Sequence, residues 1–164
     1  MDSGLSPHPE IAPHRILHFH DFVYGRTTPY DDYSHGTHVT GIIGAKQIGI
    51  APECSLIALK ILDHHGNCSI ELFVEAIHWL LTHQYEYNIR IVNMSIGSNP
   101  SISRTEQILL NLWVSRLWEA GLIVCCSAGN NGPTRNTITA PGNCEDIITV
   151  GSCDGTSFSS ISRI

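Results

Sequence analysis

Short apolar runs alternate with helix-like segments along most of this 164-residue chain, and this alternation limits its folds more than any other feature. The predicted strands span residues 15–23, 55–62, 89–97, 122–130 and 146–152. The predicted helices between them span residues 35–48, 69–87 and 103–121. Strands that alternate with helices form crossover units, which build a parallel sheet covered by helices. The sequence therefore predicts an α/β fold with a mostly parallel central sheet and helices on both faces.

Two of the predicted helices have recognisable ends. Ser69 is suited to cap the start of the second helix, and Gly121 follows the third helix, as glycine commonly does. The second helix carries apolar and aromatic residues at helical spacing, namely Leu72, Ala76, Trp79, Leu80 and His83. We therefore expect Trp79 and Trp113, which both fall on helix patterns, to lie in the core.

The charge distribution excludes several classes of function. The net charge is −6, and the nine Lys and Arg residues are scattered along the chain. A protein that binds nucleic acid through its phosphates needs a concentrated basic surface, so we expect no nucleic-acid partner. No apolar run is long enough to span a membrane, and no glycine-rich nucleotide-binding motif follows a predicted strand. We therefore expect neither a membrane partner nor a nucleotide cofactor.

The six cysteines form no CxxC pair. They are Cys54, Cys68, Cys125, Cys126, Cys144 and Cys153. Unpaired cysteines often behave as small buried hydrophobic residues, and we expect this of most of the six. Cys125 and Cys126 are neighbours in a predicted strand, so their side chains should point to opposite faces.

Polar residues and glycines follow two of the predicted strands. One strand runs into Ser95, Ile96 and Gly97, and the next runs into Gly129 and Asn130. The carboxyl ends of parallel strands lie at one edge of the sheet, where α/β proteins bind their ligands. The side-chain amide of Asn130 could donate to a negative charge that develops during a reaction.

Two further residues belong to the same chemistry. His35 lies in the first turn of a glycine-rich helix, where its ring can face a cleft. Gly36 and Gly41 would let this helix lie close to another backbone. Asp2 is a carboxylate directly before a Ser-Gly turn signal. An aspartate, a histidine and an amide donor are three of the four parts of an acyl-transfer site.

Together these motifs resemble those of the subtilisin family of serine endopeptidases. The matching stretches are DSG (2–4), HGTHVTG (35–41), SLIALKIL (55–62), IVNMSIGS (91–98), SAGNNG (127–132) and APGNCEDIITVGS (140–152). DSG alone would be uninformative, but HGTHVTG is specific, and its occurrence in order with the later motifs makes a chance match very improbable. The resemblance implies a partial subtilisin-like fold of three layers, with helices on both sides of the sheet.

The resemblance also implies roles for individual residues. Asp2 corresponds to the triad carboxylate that orients the histidine, His35 to the general base, and Asn130 to the amide donor of the oxyanion hole. The family therefore implies hydrolysis of peptide bonds by an Asp-His-Ser triad, without a cofactor or a catalytic metal.

The expected partner is a polypeptide substrate bound in extended form. By resemblance, its backbone would pair with the segments at Gly66 and at Ser95, Ile96, Gly97 and Gly129. Addition of an extended peptide as a strand recognises the main chain first and side chains through pockets.

The nucleophile departs from the family pattern. Ser157 stands in a Gly-Thr-Ser sequence, but it follows Asn130 by only 27 residues and no matching helix sequence comes after it. This stretch is more similar to an earlier family element than to the nucleophile motif. We therefore expect residues 1–164 to form an incomplete peptidase domain without its first strand and its nucleophile region. A complementing C-terminal segment would then be a partner, and the chain alone should be marginally stable.

Two other interpretations follow from the same residues. His35 and His38 could form a metal pair with Asp31, Asp32 or Cys54, but the family match explains them without a metal. The chain could also be an inactive remnant that binds peptides weakly. Separately, residues 44–54 do not form a carboxylate-rich loop like the calcium-binding loop that secreted family members often carry here, so no calcium site is expected.

The cellular compartment is predicted from two features. Residues 24–41 are similar to intracellular-type bacterial members of the family, and the chain as given shows no signal peptide. Unpaired cysteines agree with a reducing compartment. We therefore expect a cytoplasmic protein.

Overall fold

The computed structural model describes residues 1–99 and 101–152, so Ser157 lies outside the described residues. The strands are β1 (Ile16–Asp21), β2 (Leu56–Lys60), β3 (Ile91–Met94), β4 (Ile123–Ser127) and β5 (Ile148–Val150). The helices are α1 (His35–Gly44), α2 (Ile70–His83) and α3 (Arg104–Glu119), and a short 3-10 turn covers Pro13–Arg15. Each predicted strand and helix is present in the predicted order.

The strands pair in parallel within two groups. β1 pairs with β2, and β4 lies between β3 and β5. The first two residues join the groups, because the amide of Asp2 donates to the carbonyl of Leu59 at 3.0 Å and the amino group of Met1 donates to the carbonyl of Asn93 at 2.9 Å. The predicted α/β fold with a mostly parallel sheet is confirmed.

A gap separates β2 from β3 next to Met1, at the amino ends of the two strands. This inter-strand gap is a cavity of about 420 Å³ lined by Leu56, Ile57 and Ala58 of β2, by Ile91 and Val92 of β3, and by α1. Apart from the contacts of Met1 and Asp2, β2 pairs only with β1 and β3 only with β4 in the part of the chain that the structure describes. The strand edges that face the gap therefore have no strand partner there.

The main core lies between the sheet and the helices α2 and α3. The core residues from these helices are Phe73, Ala76, Ile77, Leu80, Leu110, Val114 and Leu117. They meet side chains from one face of the sheet, namely Val92, Met94, Val124 and Cys126. α1 lies at the inter-strand gap, which it lines with Val39, Thr40 and Ile43. The core thus fixes the sheet whose carboxyl edge carries the predicted site.

The two tryptophans are less buried than the sequence predicts. Trp79 and Trp113 are half-buried and pack against the edge of the core. The stripe of α2 that is fully buried includes Phe73 and Ile77, so it is rotated from the predicted face. Trp113 lies under the guanidinium of Arg116, whose central carbon is 4.9 Å from a ring centroid of the indole. Its position at the helix surface accommodates both the apolar ring and the solvated charge.

The outer face of β3, β4 and β5 is apolar and exposed. Ile91, Ile123, Ile148 and Val150 are between 44% and 63% exposed, although parallel sheets are normally covered on both faces. We call these four residues the open sheet face.

Helix α1 is shorter than predicted because Arg15 binds the chain where it leaves the helix. The predicted helix spans residues 35–48, but α1 ends at Gly44. The buried guanidinium of Arg15 donates to the carbonyl of Gly44 at 2.6 Å, to Cys54 at 2.8 and 3.0 Å, and to Ala51 at 3.4 Å. These three carbonyls hold residues 44–54 as a compact loop around one cation.

The caps confirm two sequence predictions. The hydroxyl of Ser69 accepts a hydrogen bond from the amide of Leu72 at 3.3 Å, as an N-cap does. Gly121 adopts a left-handed conformation with φ of 86°, directly after α3. Ser103 adds a capping box with Glu106 at the start of α3.

No helix in residues 1–99 or 101–152 is long and apolar enough to cross a membrane.

The prediction for the cysteines is only partly correct. Cys126 and Cys144 are buried, but Cys68 is exposed and Cys54 and Cys125 are half-buried, so burial is not the rule among the described cysteines. None of these five forms a disulfide. Cys125 and Cys126 do point to opposite faces, since only the second lies in the core.

His18 lies in an aromatic cluster between β1 and α2. Its ring stacks on Trp79 with a centroid distance of 5.0 Å, and Trp79 stacks on His83 at 4.2 Å. Burial is the main cause that lowers the pKa of His18, and the neighbouring His20 and His83 lower it further, whereas Glu86 opposes them. The fold therefore favours the neutral form of His18.

We expect acid to weaken the fold through His18. Because its folded-state pKa is lowered, the unfolded chain takes up the proton first, so the contribution is complete above about pH 6.5 and is lost as the pH falls through the folded-state pKa. The variant His18→Phe keeps the stack on Trp79 but cannot titrate. Urea unfolding at about pH 7.5 and about pH 5.5 should therefore show a smaller acid-induced loss for the variant. Equal losses for both proteins would contradict this role.

Candidate active site

The predicted acid and base are in direct contact. Nδ1 of His35 lies 2.7 Å from Oδ1 of Asp2, which also accepts the amide of Ser3 at 2.7 Å. The Asp2 side chain is 11% exposed and the His35 side chain 41%. The carboxylate therefore lies at the inner side of the ring, and Nε2 is the nitrogen left to exchange protons with other groups.

Backbone pairing with β2 positions Asp2. Its amide donates to the carbonyl of Leu59, and its own carbonyl accepts the amide of Ile61 at 2.9 Å. The end of β2 thus fixes the acid, and the first turn of α1 fixes His35. The second carboxylate oxygen of Asp2 is buried and has no hydrogen-bond partner among the described residues.

A close approach of two backbones brings the acid and base together. A Cβ atom at Gly36 would clash with the carbonyl oxygen of Gly4 and lie 3.1 Å from Cβ of Asp2. Glycine at position 36 is therefore required for α1 to reach the Asp2 turn, as the sequence predicts. Gly41 does not fit the same prediction within residues 1–99 and 101–152, where a Cβ atom at this position would meet nothing within 4 Å.

The glycines after β3 and β4 also come together. A Cβ atom at Gly97 would lie 3.4 Å from Cα of Gly129, and both glycines face the hydroxyl of Thr139. The hydroxyl of Ser127 donates to the carbonyl of Ile96 at 2.8 Å. The hydroxyl of Ser95 accepts from the side chain of Asn93 at 3.0 Å.

Asn130 follows Gly129 at the carboxyl end of β4 and is exposed. Gly129 has a φ of 88°, which turns the chain out of the strand. Asp2 lies at the same edge of the sheet, because it pairs with Lys60 at the end of β2. No described contact joins Asn130 to His35, so the structure assembles the site in two parts at one edge.

Gly66 lies in a turn near His35. Its φ is 79°, and a Cβ atom there would lie 2.7 Å from the ring of Tyr33. The ring of Tyr33 is also 6.3 Å from that of His35, measured between centroids. Tyr33 therefore connects the predicted substrate segment to the histidine. Sequence reasoning missed it, although it stands two residues before His35 in the motif.

Three of the side chains considered for a metal have other partners. Asp31 accepts hydrogen bonds from Ser3 and Thr37, Asp32 lies 2.6 Å from Nζ of Lys60, and Sγ of Cys54 lies 3.6 Å from a guanidinium nitrogen of Arg15. Within the described ranges, no three His, Cys, Asp or Glu side chains are arranged to hold a metal ion. The three residues considered as additional ligands to a pair of histidines thus bind protein groups instead.

Lys60 is a further residue that sequence reasoning missed. Its side chain is 0% exposed, and its ammonium donates to the carbonyls of Ser3 and Leu62 at 2.6 and 2.7 Å, as well as to Asp32. The ring centroid of Tyr30 lies 5.1 Å from Nζ. A single lysine in the apolar run SLIALKIL was the only signal available. Its contact with Ser3 places it beneath the turn that carries Asp2.

A parallel sheet whose carboxyl edge holds a buried aspartate bonded to a histidine is typical of hydrolases with an Asp-His-Ser triad. A family model described as "Subtilase family" matches residues 1–164, and the chain therefore belongs to the subtilase family.

The chain is similar to named proteases. It is 35% identical to "Serine protease AprX" of Bacillus subtilis (strain 168) and 31% identical to "Thermostable alkaline protease" of Halalkalibacterium halodurans, with 94% of this chain covered in both cases. It spans 37% and 40% of the lengths of these relatives. These similarities make the chain a subtilase domain homologous to serine endopeptidases.

A solved structure shares the fold. The crystal structure of a cold adapted subtilisin-like serine proteinase superposes with a TM-score of 0.77 at 26% identity. The match covers 93% of this chain and 52% of that chain. The expected partial subtilisin-like α/β fold is thereby confirmed.

Proposed function

We propose that this chain supplies the acid, the base and the oxyanion donor of a serine endopeptidase. The observation that carries the proposal is the 2.7 Å contact between Nδ1 of His35 and Oδ1 of Asp2. In this mechanism Asp2 holds the ring so that Nε2 accepts the proton of a serine hydroxyl and later gives it to the leaving amine. The amide of Asn130 donates to the oxyanion that forms on the attacked carbonyl.

The proposed substrate is a polypeptide in extended form. Gly97 is exposed, and its N–H and C=O make no hydrogen bond in the described residues, so they are available for strand-like pairing. Gly66 and Gly129 would line the same path, together with Ser95 and Ile96. Main-chain pairing would align the scissile bond, and Tyr33 would bound the path beside His35.

We further propose that residues 1–164 form part of a larger catalytic domain. Two features support this. The inter-strand gap leaves the facing edges of β2 and β3 unpaired, which suits one added strand that runs into Met1. The open sheet face exposes apolar side chains that a complementing segment would cover. In this proposal the nucleophilic serine belongs to that C-terminal segment and is not Ser157.

We place the protein in the cytoplasm in this proposal, without a nucleic-acid or membrane partner. The five described cysteines are unpaired, and unpaired thiols persist in reducing compartments. The net charge of −6 opposes binding to phosphate backbones.

A fluorophosphonate probe, which modifies activated serines, tests the proposal. The chain of 164 residues alone should give no adduct by mass spectrometry. Residues 1–151 fused to the C-terminal part of the Bacillus subtilis relative should be labelled at a serine from that relative. His35→Ala should slow this labelling by about 10⁴-fold or more, because the base is lost.

His38→Ala is the matched control, since it removes a histidine from the same helix, one turn further on, and should leave the rate unchanged. An adduct on Ser157 of the chain alone would contradict the assignment of the nucleophile to another segment. Labelling of the fused protein at the same rate after His35→Ala would contradict the role of His35. A fused protein that folds but is never labelled would favour an inactive remnant.

A further inference from the structure

One carboxylate links the two segments that carry the proposed acid and base. Oδ1 of Asp31 accepts the hydroxyl of Ser3 at 2.8 Å and the amides of Tyr33 and Ser34 at 3.1 and 2.9 Å. Oδ2 accepts the amide and the hydroxyl of Thr37 at 2.8 and 2.7 Å. Five hydrogen bonds occupy both oxygens, so Asp31 has a fixed position and orientation.

The donors to Asp31 flank the proposed catalytic pair on both sides. Ser3 directly follows Asp2, whereas Ser34 directly precedes His35. The hydroxyl of Ser3 also accepts the amide of Gly36 at 2.9 Å, which closes a second connection between the two segments. A displacement of either segment would therefore stretch hydrogen bonds to Asp31 or to Ser3.

The charge of Asp31 is maintained under ordinary conditions. Burial opposes its ionisation, but hydrogen bonds from Thr37, and then from Ser3 and Tyr33, outweigh burial and lower its pKa. An ionised carboxylate accepts stronger hydrogen bonds than a neutral group.

Capping of α1 explains only part of this arrangement. Ser34, the N-cap residue of α1, makes no side-chain capping bond, and Asp31 supplies acceptors to the first turn instead. A cap of this kind needs no contact with the Asp2 turn, yet Asp31 also accepts a hydrogen bond of 2.8 Å from the hydroxyl of Ser3.

We infer that Asp31 is a positioning residue, which sets the distance between His35 and Asp2 by binding Ser3 on one side and the start of α1 on the other. This inference rests on the proposed function, because Asp31 acts through that pair. Misplacement of a catalytic group by about 1 Å can cost about 100-fold in rate, so a link of this kind matters for the reaction.

The proton on Nδ1 of His35 gives a direct test that does not need activity. A proton held between imidazole and carboxylate gives a low-field NMR signal that is protected from exchange with water. In the chain of 164 residues, Asp31→Asn should speed this exchange at least about tenfold, since the amide nitrogen cannot accept hydrogen bonds. Asp146→Asn is the matched control, because it removes a carboxylate that accepts from Ser115 at 2.6 Å, on α3.

Ser3→Ala provides a milder second variant if Asp31→Asn does not fold. It removes the link between Asp31 and Gly36 but leaves the bonds from Asp31 to α1, and it should also speed exchange of the His35 proton. Unchanged exchange in a folded Asp31→Asn or Ser3→Ala variant overturns the inference while the catalytic pair stands. Absence of the protected signal from the unaltered chain overturns the pair itself, and the inference with it.

Discussion

Replacing Lys60 with methionine should lower the free energy of unfolding by about 3 kcal/mol. The ammonium of Lys60 is wholly buried, and its removal leaves the carbonyls of Ser3 and Leu62 without a donor and the carboxylate of Asp32 without a counter-charge. Removing one partner of a buried ion pair typically costs about 3–5 kcal/mol. We expect the lower end of that range, because the side chain of Asp32 is 29% exposed and stays partly hydrated.

Urea unfolding followed by tryptophan fluorescence measures this effect. Lys46 is the other lysine of the chain and is exposed, so Lys46→Met should change the free energy of unfolding by less than about 0.5 kcal/mol. Adding Asp32→Asn to Lys60→Met should recover part of the loss, since no unpaired charge then remains. Equal stabilities of the two lysine variants would show that the buried ammonium does not hold the Asp2 turn.

Replacing Arg15 with methionine should cost about 2–4 kcal/mol and should loosen residues 44–54 first. The guanidinium donates to the carbonyls of Gly44, Ala51 and Cys54 at once. A hydrogen bond to a charged group contributes about 1.5–3 kcal/mol net of the bonds lost to water, and such contributions are not additive when one side chain makes them all. Arg15→Lys should recover only part of the loss, because an ammonium cannot reproduce the planar fork.

Hydrogen exchange checks where the Arg15 effect falls. The amides of Gly49 and Cys54, which bond to carbonyls within the loop, should exchange faster in Arg15→Met than amides of α3. Arg90→Met is the control, since Arg90 is exposed. A uniform change across the chain would mean that Arg15 stabilises the whole domain rather than this loop.

The order of strands and helices could be predicted because each element carries a local pattern. The capped start of α2 at Ser69 and the turn at Gly121 are readable from a few adjacent residues. The end of α1 is different, since it depends on Arg15, which precedes Gly44 by 29 residues. Burial of Cys68 or Trp113 likewise depends on neighbours from other elements that periodicity does not reveal.

Some residues of the candidate site could likewise be predicted from local motifs, and others could not. The motifs predicted Asp2 and His35 as partners, and the structure brings them into contact. Lys60 and Asp31 were missed because a lysine in an apolar run, or one aspartate of an Asp-Asp pair, has no local signature of its role. Their partners, such as Ser3, lie 57 and 28 residues away in the sequence. Asn130 and Ser95–Gly97 stay predictions as functional residues.

The open sheet face affects how the chain behaves while it is synthesised in a cell. Ile91, Ile123, Ile148 and Val150 form an exposed apolar surface on β3, β4 and β5. Chaperones and other nascent chains recognise such surfaces while a protein is being synthesised. Covering of this surface by another segment would then compete with aggregation. Because aggregation requires contact with another copy, its share should rise with protein concentration.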